Sequence, residues 1–123
     1  MAKVSRRPVV LVVEDEPLLR MNAVDMIQAA GYEVLEAGSA DEAITILEKR
    51  TDVRLIFTDI QIPGSMDGLK LARAVHGRWP PIKIVTTSGR VSVGPSDLPD
   101  GGKFVPKPYT SAQISRLLQE MLM

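Results

Sequence analysis

Leu55-Ile56-Phe57-Thr58-Asp59 is an apolar run that halts on a carboxylate and passes at once into Ile60-Gln61-Ile62-Pro63-Gly64. A short β-branched and aromatic run closed by turn residues reads as a buried strand, with Asp59 at its exposed tip. In open α/β sheets, ligands bind just beyond the carboxyl ends of the strands. That position makes Asp59 a candidate for phosphate or metal chemistry.

A second run, Val9-Val10-Leu11-Val12-Val13, also ends in acid, at Glu14, Asp15 and Glu16, before Pro17. Clustered carboxylates raise one another's pKa, so three of them at one sheet edge require a cation. Carboxylate oxygens completed by water suit Mg2+. Further along, residues 82–87 run into Ser88-Gly89, and Phe104-Val105-Pro106 runs into Lys107-Pro108. Successive strand ends thus deliver an acidic pair, a lone Asp, a hydroxyl and an ammonium, the components of a phosphoryl site.

Helical segments separate these runs. Pro17 suits the first turn of a helix ending near Gly31, and Val34-Leu35 forms a short second strand. Ser39-Ala40-Asp41-Glu42 has the form of a capping box, opening a helix whose Ala43, Ile44 and Leu47 share one face. A third helix runs from Asp67 or Gly68 to Arg78, ahead of Pro80-Pro81. The last begins at Thr110, where Gln113 completes another capping box, and buries Ile114, Leu117, Leu118, Met121 and Leu122. Alternating strands and helices predict a parallel sheet covered on both faces. Residues 90–102 break the regularity with Gly94, Pro95, Pro99, Gly101 and Gly102. Internal Pro costs ~3 kcal/mol and Gly ~1 kcal/mol relative to Ala, so a short or irregular element is predicted there. His76 reads as helix surface and Trp79 as core edge.

With these parts in this order, the chain resembles a two-component response-regulator receiver domain of the stand-alone, chemotaxis-regulator-like type, over nearly all of its length. The resemblance implies a single domain over residues 1–123 with a flavodoxin-like, doubly wound, five-stranded parallel sheet in the order 2-1-3-4-5. It implies that Asp59 is the phosphoacceptor, with Asp15 ligating Mg2+ directly and Glu14 acting through metal-bound water. Asp59 and the Gln61 backbone carbonyl complete the implied ligand set. Ser88 corresponds to the switch hydroxyl, Lys107 to the lysine that pairs with carboxylate and phosphoryl oxygens, and Phe104 to the aromatic rotamer switch. Gln61 and Arg90, two residues beyond Asp59 and Ser88, occupy positions that modulate phosphoryl lifetime. Any one of these residues is a weak signal, whereas their recurrence in order on the right strand ends is specific.

The chain departs from the family pattern twice. The irregular stretch 90–102 falls where receivers carry their fourth helix, part of the face used for dimers and effectors. The loop Pro63-Gly64-Ser65-Met66-Asp67-Gly68 is one residue longer than the commonest receiver loop and borders the acceptor. The expected partners are a histidine kinase or histidine phosphotransfer protein and a downstream protein target, for a monomer or weak dimer in the cytoplasm.

Composition excludes several other classes. At 123 residues and 45% hydrophobic content, the chain suffices for one domain with a single core. Fifteen basic residues against fifteen acidic ones give no field to gather nucleic acid. Lys3, Arg6 and Arg7 read as a solvated flank. No cysteine and one histidine leave neither disulfides nor a zinc site, as expected in a cytoplasmic protein. The apolar segment near the N-terminus is too short to span a bilayer and has no cleavage site after it, so no membrane association is expected.

Taken singly, each residue has a plainer role: Glu14 and Asp15 as helix caps, Lys107-Pro108 as a turn, Ser88 serving the backbone, Phe104 as core, Gln61 as a loop amide. A cis bond before Pro108 would aim the ammonium inward. A haloacid-dehalogenase-type phosphatase needs a second acid two residues after its Asp, where Gln61 stands. A flavodoxin-like cofactor site wants a hydroxyl- and glycine-rich phosphate loop where this chain has Glu-Asp-Glu-Pro. The remaining alternative is a receiver fold used as a non-phosphorylated docking module, and the complete set of acids, hydroxyl and lysine argues against it.

Overall fold

β1 (Val9–Val13) is buried at every residue, as a central strand must be when helices cover both faces of a parallel sheet. The computed structural model describes residues 7–122, so Lys3 and Arg6 lie outside it, while Arg7 is exposed. After β1 come α1 (Pro17–Ala29), β2 (Glu33–Ala37), α2 (Ala40–Lys49), β3 (Val53–Asp59), α3 (Gly68–Arg78), β4 (Lys83–Ser88), β5 (Lys103–Pro106) and α4 (Ser111–Leu122). All five strands run parallel in the order β2-β1-β3-β4-β5. This is the flavodoxin-like arrangement expected from the resemblance.

Side-chain alternation along β1 divides the core into two layers. Val9, Leu11 and Val13 face Ala40, Ala43 and Leu47 of α2 and Leu71, Ala72 and Val75 of α3. Val10 and Val12 face Ala23, Val24 and Ile27 of α1 and Ile114, Leu118 and Leu122 of α4. In β3, Val53 and Ile56 join the first layer and Leu55 and Phe57 the second. A register shift between Val9 and Val10 accounts for the break in alternation between Val53 and Leu55.

The caps follow the sequence with one amendment. Thr110 and Gln113 form a reciprocal box, Thr110 N donating to Gln113 Oε1 at 2.8 Å and Gln113 N to Thr110 Oγ1 at 3.1 Å. Ser39 Oγ accepts from Glu42 N at 3.2 Å, but the Glu42 carboxylate takes the Gly38 N–H rather than that of Ser39. Gly31 follows α1 with φ 104°, the left-handed conformation favoured after a helix. Leu117 and Met121 of α4 are only partly buried against the core. His76 is half-buried, and Trp79 packs at the core edge with Arg78 stacked 4.3 Å from its ring centroid.

Between β4 and β5, only a 3-10 turn over Pro95–Asp97 forms, as the Gly and Pro content required. Arg73 Nη2 of α3 ties this turn down by donating to the Asp97 carbonyl at 3.3 Å. In the long loop after β3, Gly64 takes φ 104° and Ser65 Oγ donates to Asp41 Oδ1 at 2.8 Å, drawing the loop towards the start of α2. Among the described residues, no helix is long and apolar enough to cross a membrane.

Candidate functional site

Three strands deliver the charged residues to one edge of the sheet. Glu14, directly after β1, is 5% exposed, and Asp59, the last residue of β3, is 6% exposed and so buried rather than at an exposed tip. Lys107 follows β5, its backbone N donating to the Ser88 carbonyl at 3.0 Å. The peptide bond to Pro108 is cis. Lys107 Nζ lies 3.0 Å from Glu14 Oε1 and 3.2 Å from Asp59 Oδ2. Ligand oxygens of Glu14, Asp15 and Asp59 all lie within 4.8 Å of one another. Asp15 is exposed, which leaves the cluster open to solvent on one side.

Helix capping does not explain these acids. Glu16 is the residue that caps α1, accepting from Leu18 N at 3.4 Å. Glu14 accepts from Glu16 N at 3.2 Å through Oε2, which turns Oε1 towards Lys107. Burial raises the Glu14 pKa, and the Asp59 field adds to it, against opposing hydrogen bonds from Lys107 and the Glu16 amide. Burial also works against the charged form of Lys107, but the hydrogen bonds and fields of Glu14 and Asp59 together outweigh it and raise its pKa. The ammonium is therefore firmly held, while the Glu14 carboxylate remains under-compensated.

Three carboxylates and one ammonium leave two net negative charges, which one divalent cation cancels. Asp59 Oδ1 is buried with no hydrogen-bond partner, and a buried carboxylate oxygen without a partner costs stability unless an ion or ligand meets it. The donor set is all oxygen, so the cluster fits Mg2+.

The hydroxyl and loop residues lie alongside. Ser88 Oγ, 2% exposed as a residue, donates to the Gln61 side-chain oxygen at 2.8 Å and accepts from Arg90 N and Val91 N at 3.0 Å each. The Arg90 side chain belongs to an exposed residue. Phe104 is half-buried on β5 and pairs with Thr86, two residues before Ser88 on the same face of β4.

Two contributors were not singled out from sequence. Arg20 on α1 donates through Nη1 to the Glu14 carbonyl at 2.9 Å and through Nε to Glu36 at 3.1 Å, fixing the backbone that presents the acid pair. Gly68 begins α3 with its N–H on the Ile60 carbonyl at 2.8 Å, and a Cβ there would overlap the Asp59 carbonyl oxygen. A poor helix former placed directly after the N-cap Asp67 was the available signal for Gly68. Arg20 left none, because nothing in the sequence shows that its side chain turns back onto the Glu14 carbonyl or across to Glu36 on β2.

A doubly wound sheet with a carboxylate cluster and a lysine at its C-terminal edge defines the class of flavodoxin-like domains with receiver architecture. The sequence matches the response regulator receiver domain over residues 10–119, and the chain belongs to that family. It is 38% identical over 117 residues to the sensor kinase CckA of Brucella abortus (strain 2308), covering 92% of this chain and 12% of the kinase. It is 31% identical over 116 residues to the response regulator receiver protein CpdR of the same organism, covering 92% and 95% of the two chains. Among solved structures, the response regulator receiver protein from Sinorhizobium medicae WSM419 superposes with a TM-score of 0.87 at 26% identity, over 94% of each chain. Receiver domains are phosphoacceptor signalling domains of two-component systems that interact with histidine kinases or phosphotransfer proteins and bind Mg2+ at an acidic pocket.

Proposed function

We propose that Asp59 accepts a phosphoryl group from the phosphohistidine of a sensor kinase or phosphotransfer protein, with Glu14, Asp15, Asp59 and the Gln61 backbone carbonyl holding Mg2+. The observation that carries this reading is the state of Asp59, with Oδ2 held 3.2 Å from Lys107 Nζ and Oδ1 buried without a partner. An Asp59 oxygen bonds to phosphorus as the P–N bond breaks, and the electron pair leaves with the imidazole, which takes up a proton. Bound Mg2+ supplies charge neutralisation for the phosphoryl oxygens. Lys107 contributes a fixed positive charge that needs no rearrangement during transfer.

The Ser88 hydroxyl then donates to the new phosphoryl group, drawing its loop inward and giving Phe104 room to rotate. Moving such an equilibrium from mostly resting to mostly active takes about 5.5 kcal/mol, the scale of a few charge-assisted hydrogen bonds. Gln61 and Arg90 set the lifetime of the acyl phosphate. With a 3-10 turn where receivers carry a helix, the chain works as a monomer or weak dimer in the cytoplasm, passing phosphoryl groups on, draining them from a kinase or binding a downstream protein, without nucleic acid or membrane contact.

The test is intact mass after incubation of the wild type and Asp59→Asn with acetyl phosphate, with and without Mg2+. One Mg2+-dependent phosphoryl adduct on the wild type and none on the variant is expected. A wild type that stays unmodified by acetyl phosphate and by histidine kinases would overturn the reading in favour of a docking module.

A further inference from the structure

Hydrogen-bond accounting at Ser88 leaves nothing to spare. A serine hydroxyl has one proton and two lone pairs. Arg90 N and Val91 N occupy the lone pairs, each at 3.0 Å, so the proton must go to Gln61, whose side-chain oxygen lies 2.8 Å away. The same accounting fixes the orientation of the Gln61 amide, because its nitrogen would find no acceptor on a hydroxyl already filled. This is the only side-chain hydrogen bond of Gln61 among the described residues. It bridges the loop after β3 to the turn after β4, on either side of the acceptor.

We infer that the Gln61 side chain is a positioning residue that holds Ser88 in its resting orientation and must release it before Ser88 can donate to a phosphoryl group. The inference rests on the reading of Asp59 as acceptor and adds to it. Gln61 competes with the phosphoryl oxygens for a single proton, so its side chain opposes the phosphorylated state. Its backbone carbonyl is untouched by substitution. The competition is separate from any effect on the water that hydrolyses the acyl phosphate, because it acts on equilibrium affinity rather than on a rate.

The probe is beryllofluoride, a phosphoryl mimic, titrated in saturating Mg2+ while the amide NMR signals of Arg90 and Val91 are followed. Gln61→Ala and the near-isosteric Gln61→Met both lack the acceptor and should bind beryllofluoride about 2- to 13-fold more tightly than wild type, the worth of one neutral hydrogen bond. In a Ser88→Ala background the same Gln61 substitutions should change nothing, and in Ser88→Cys, used if the alanine variant is unfolded, the weak thiol donor should leave only a reduced effect, because contact between two side chains shows as non-additivity. Unchanged affinity in both Gln61 variants, or equal tightening with and without the Ser88 hydroxyl, would overturn the inference and leave the acceptor reading intact. A wild type that binds no beryllofluoride at all removes the acceptor reading and this inference with it.

Discussion

Alanine at Gly68 and at Gly77 should move stability in opposite directions, although both glycines belong to α3. A Cβ at Gly68 would overlap the Asp59 carbonyl oxygen and come within 2.8 Å of the Asp59 carbonyl carbon and the Ile60 Cα. All of these are backbone atoms at the end of a central strand, so no flexible side chain can yield. Overpacking of this kind costs about 1–3 kcal/mol. At Gly77 nothing lies within 4 Å of the added methyl, and Gly→Ala at a compatible position stabilises by about 0.4–1 kcal/mol, chiefly by restricting the unfolded chain. The single tryptophan, Trp79, directly follows α3 and reports urea unfolding by fluorescence. With a urea dependence of about 2 kcal/mol per molar, the midpoint should fall by about 0.5–1.5 M for Gly68→Ala and rise by about 0.2–0.5 M for Gly77→Ala. The Gly68 variant should also lose phosphorylation, since the clash is with the backbone of Asp59, the proposed acceptor. A Gly68→Ala midpoint equal to or above that of the wild type would refute the steric account.

Two further outcomes follow from the charges. Lys107→Met leaves Glu14 and Asp59 without their ammonium and should destabilise by about 1–3 kcal/mol in chelator, below the 3–5 kcal/mol of a fully buried pair because the lysine side chain keeps 18% exposure. Mg2+ should restore most of that loss by binding only the folded state, and equal thermal shifts on Mg2+ addition for wild type and variant would contradict the compensation. Burial raises the Tyr32 pKa above its ordinary 10.0, so the unfolded phenol ionises first and the stability present below about pH 10 is lost as pH rises through the folded value. Tyr32→Phe should flatten that alkaline decline in denaturant titrations, and an unchanged slope would mean the phenol is not shielded.

Much of the fold was legible because local chemistry and periodicity agree with it. Pro17, Asp67 and Thr110 mark helix starts through features within four residues, and the Gly and Pro content of 90–102 excludes a helix without reference to the rest of the chain. The capping box at Ser39 was half right, because whether Glu42 reaches the N–H of residue 38 or of residue 39 depends on how the loop after β2 bends. Alternation predicted a parallel sheet, while the strand order came from the resemblance, since periodicity carries no information on which strands are neighbours.

The sequence by itself determined which functional groups stand at strand ends: acids after β1, Asp59 closing β3, a hydroxyl closing β4 and a lysine after β5. Tertiary structure alone decided what those groups do to one another. Lys107 reaches Glu14 across 93 residues of chain and Asp59 across 48, and only the assembled sheet brings them within 3.2 Å. Packing likewise decided Arg20 on the Glu14 carbonyl, Gly68 beneath Asp59, and Gln61 on Ser88. Sequence pattern reports what a residue offers and how its neighbours in the chain turn, whereas hydrogen bonds, fields and steric exclusion act at distances of a few ångströms, which the packing of strands and helices sets.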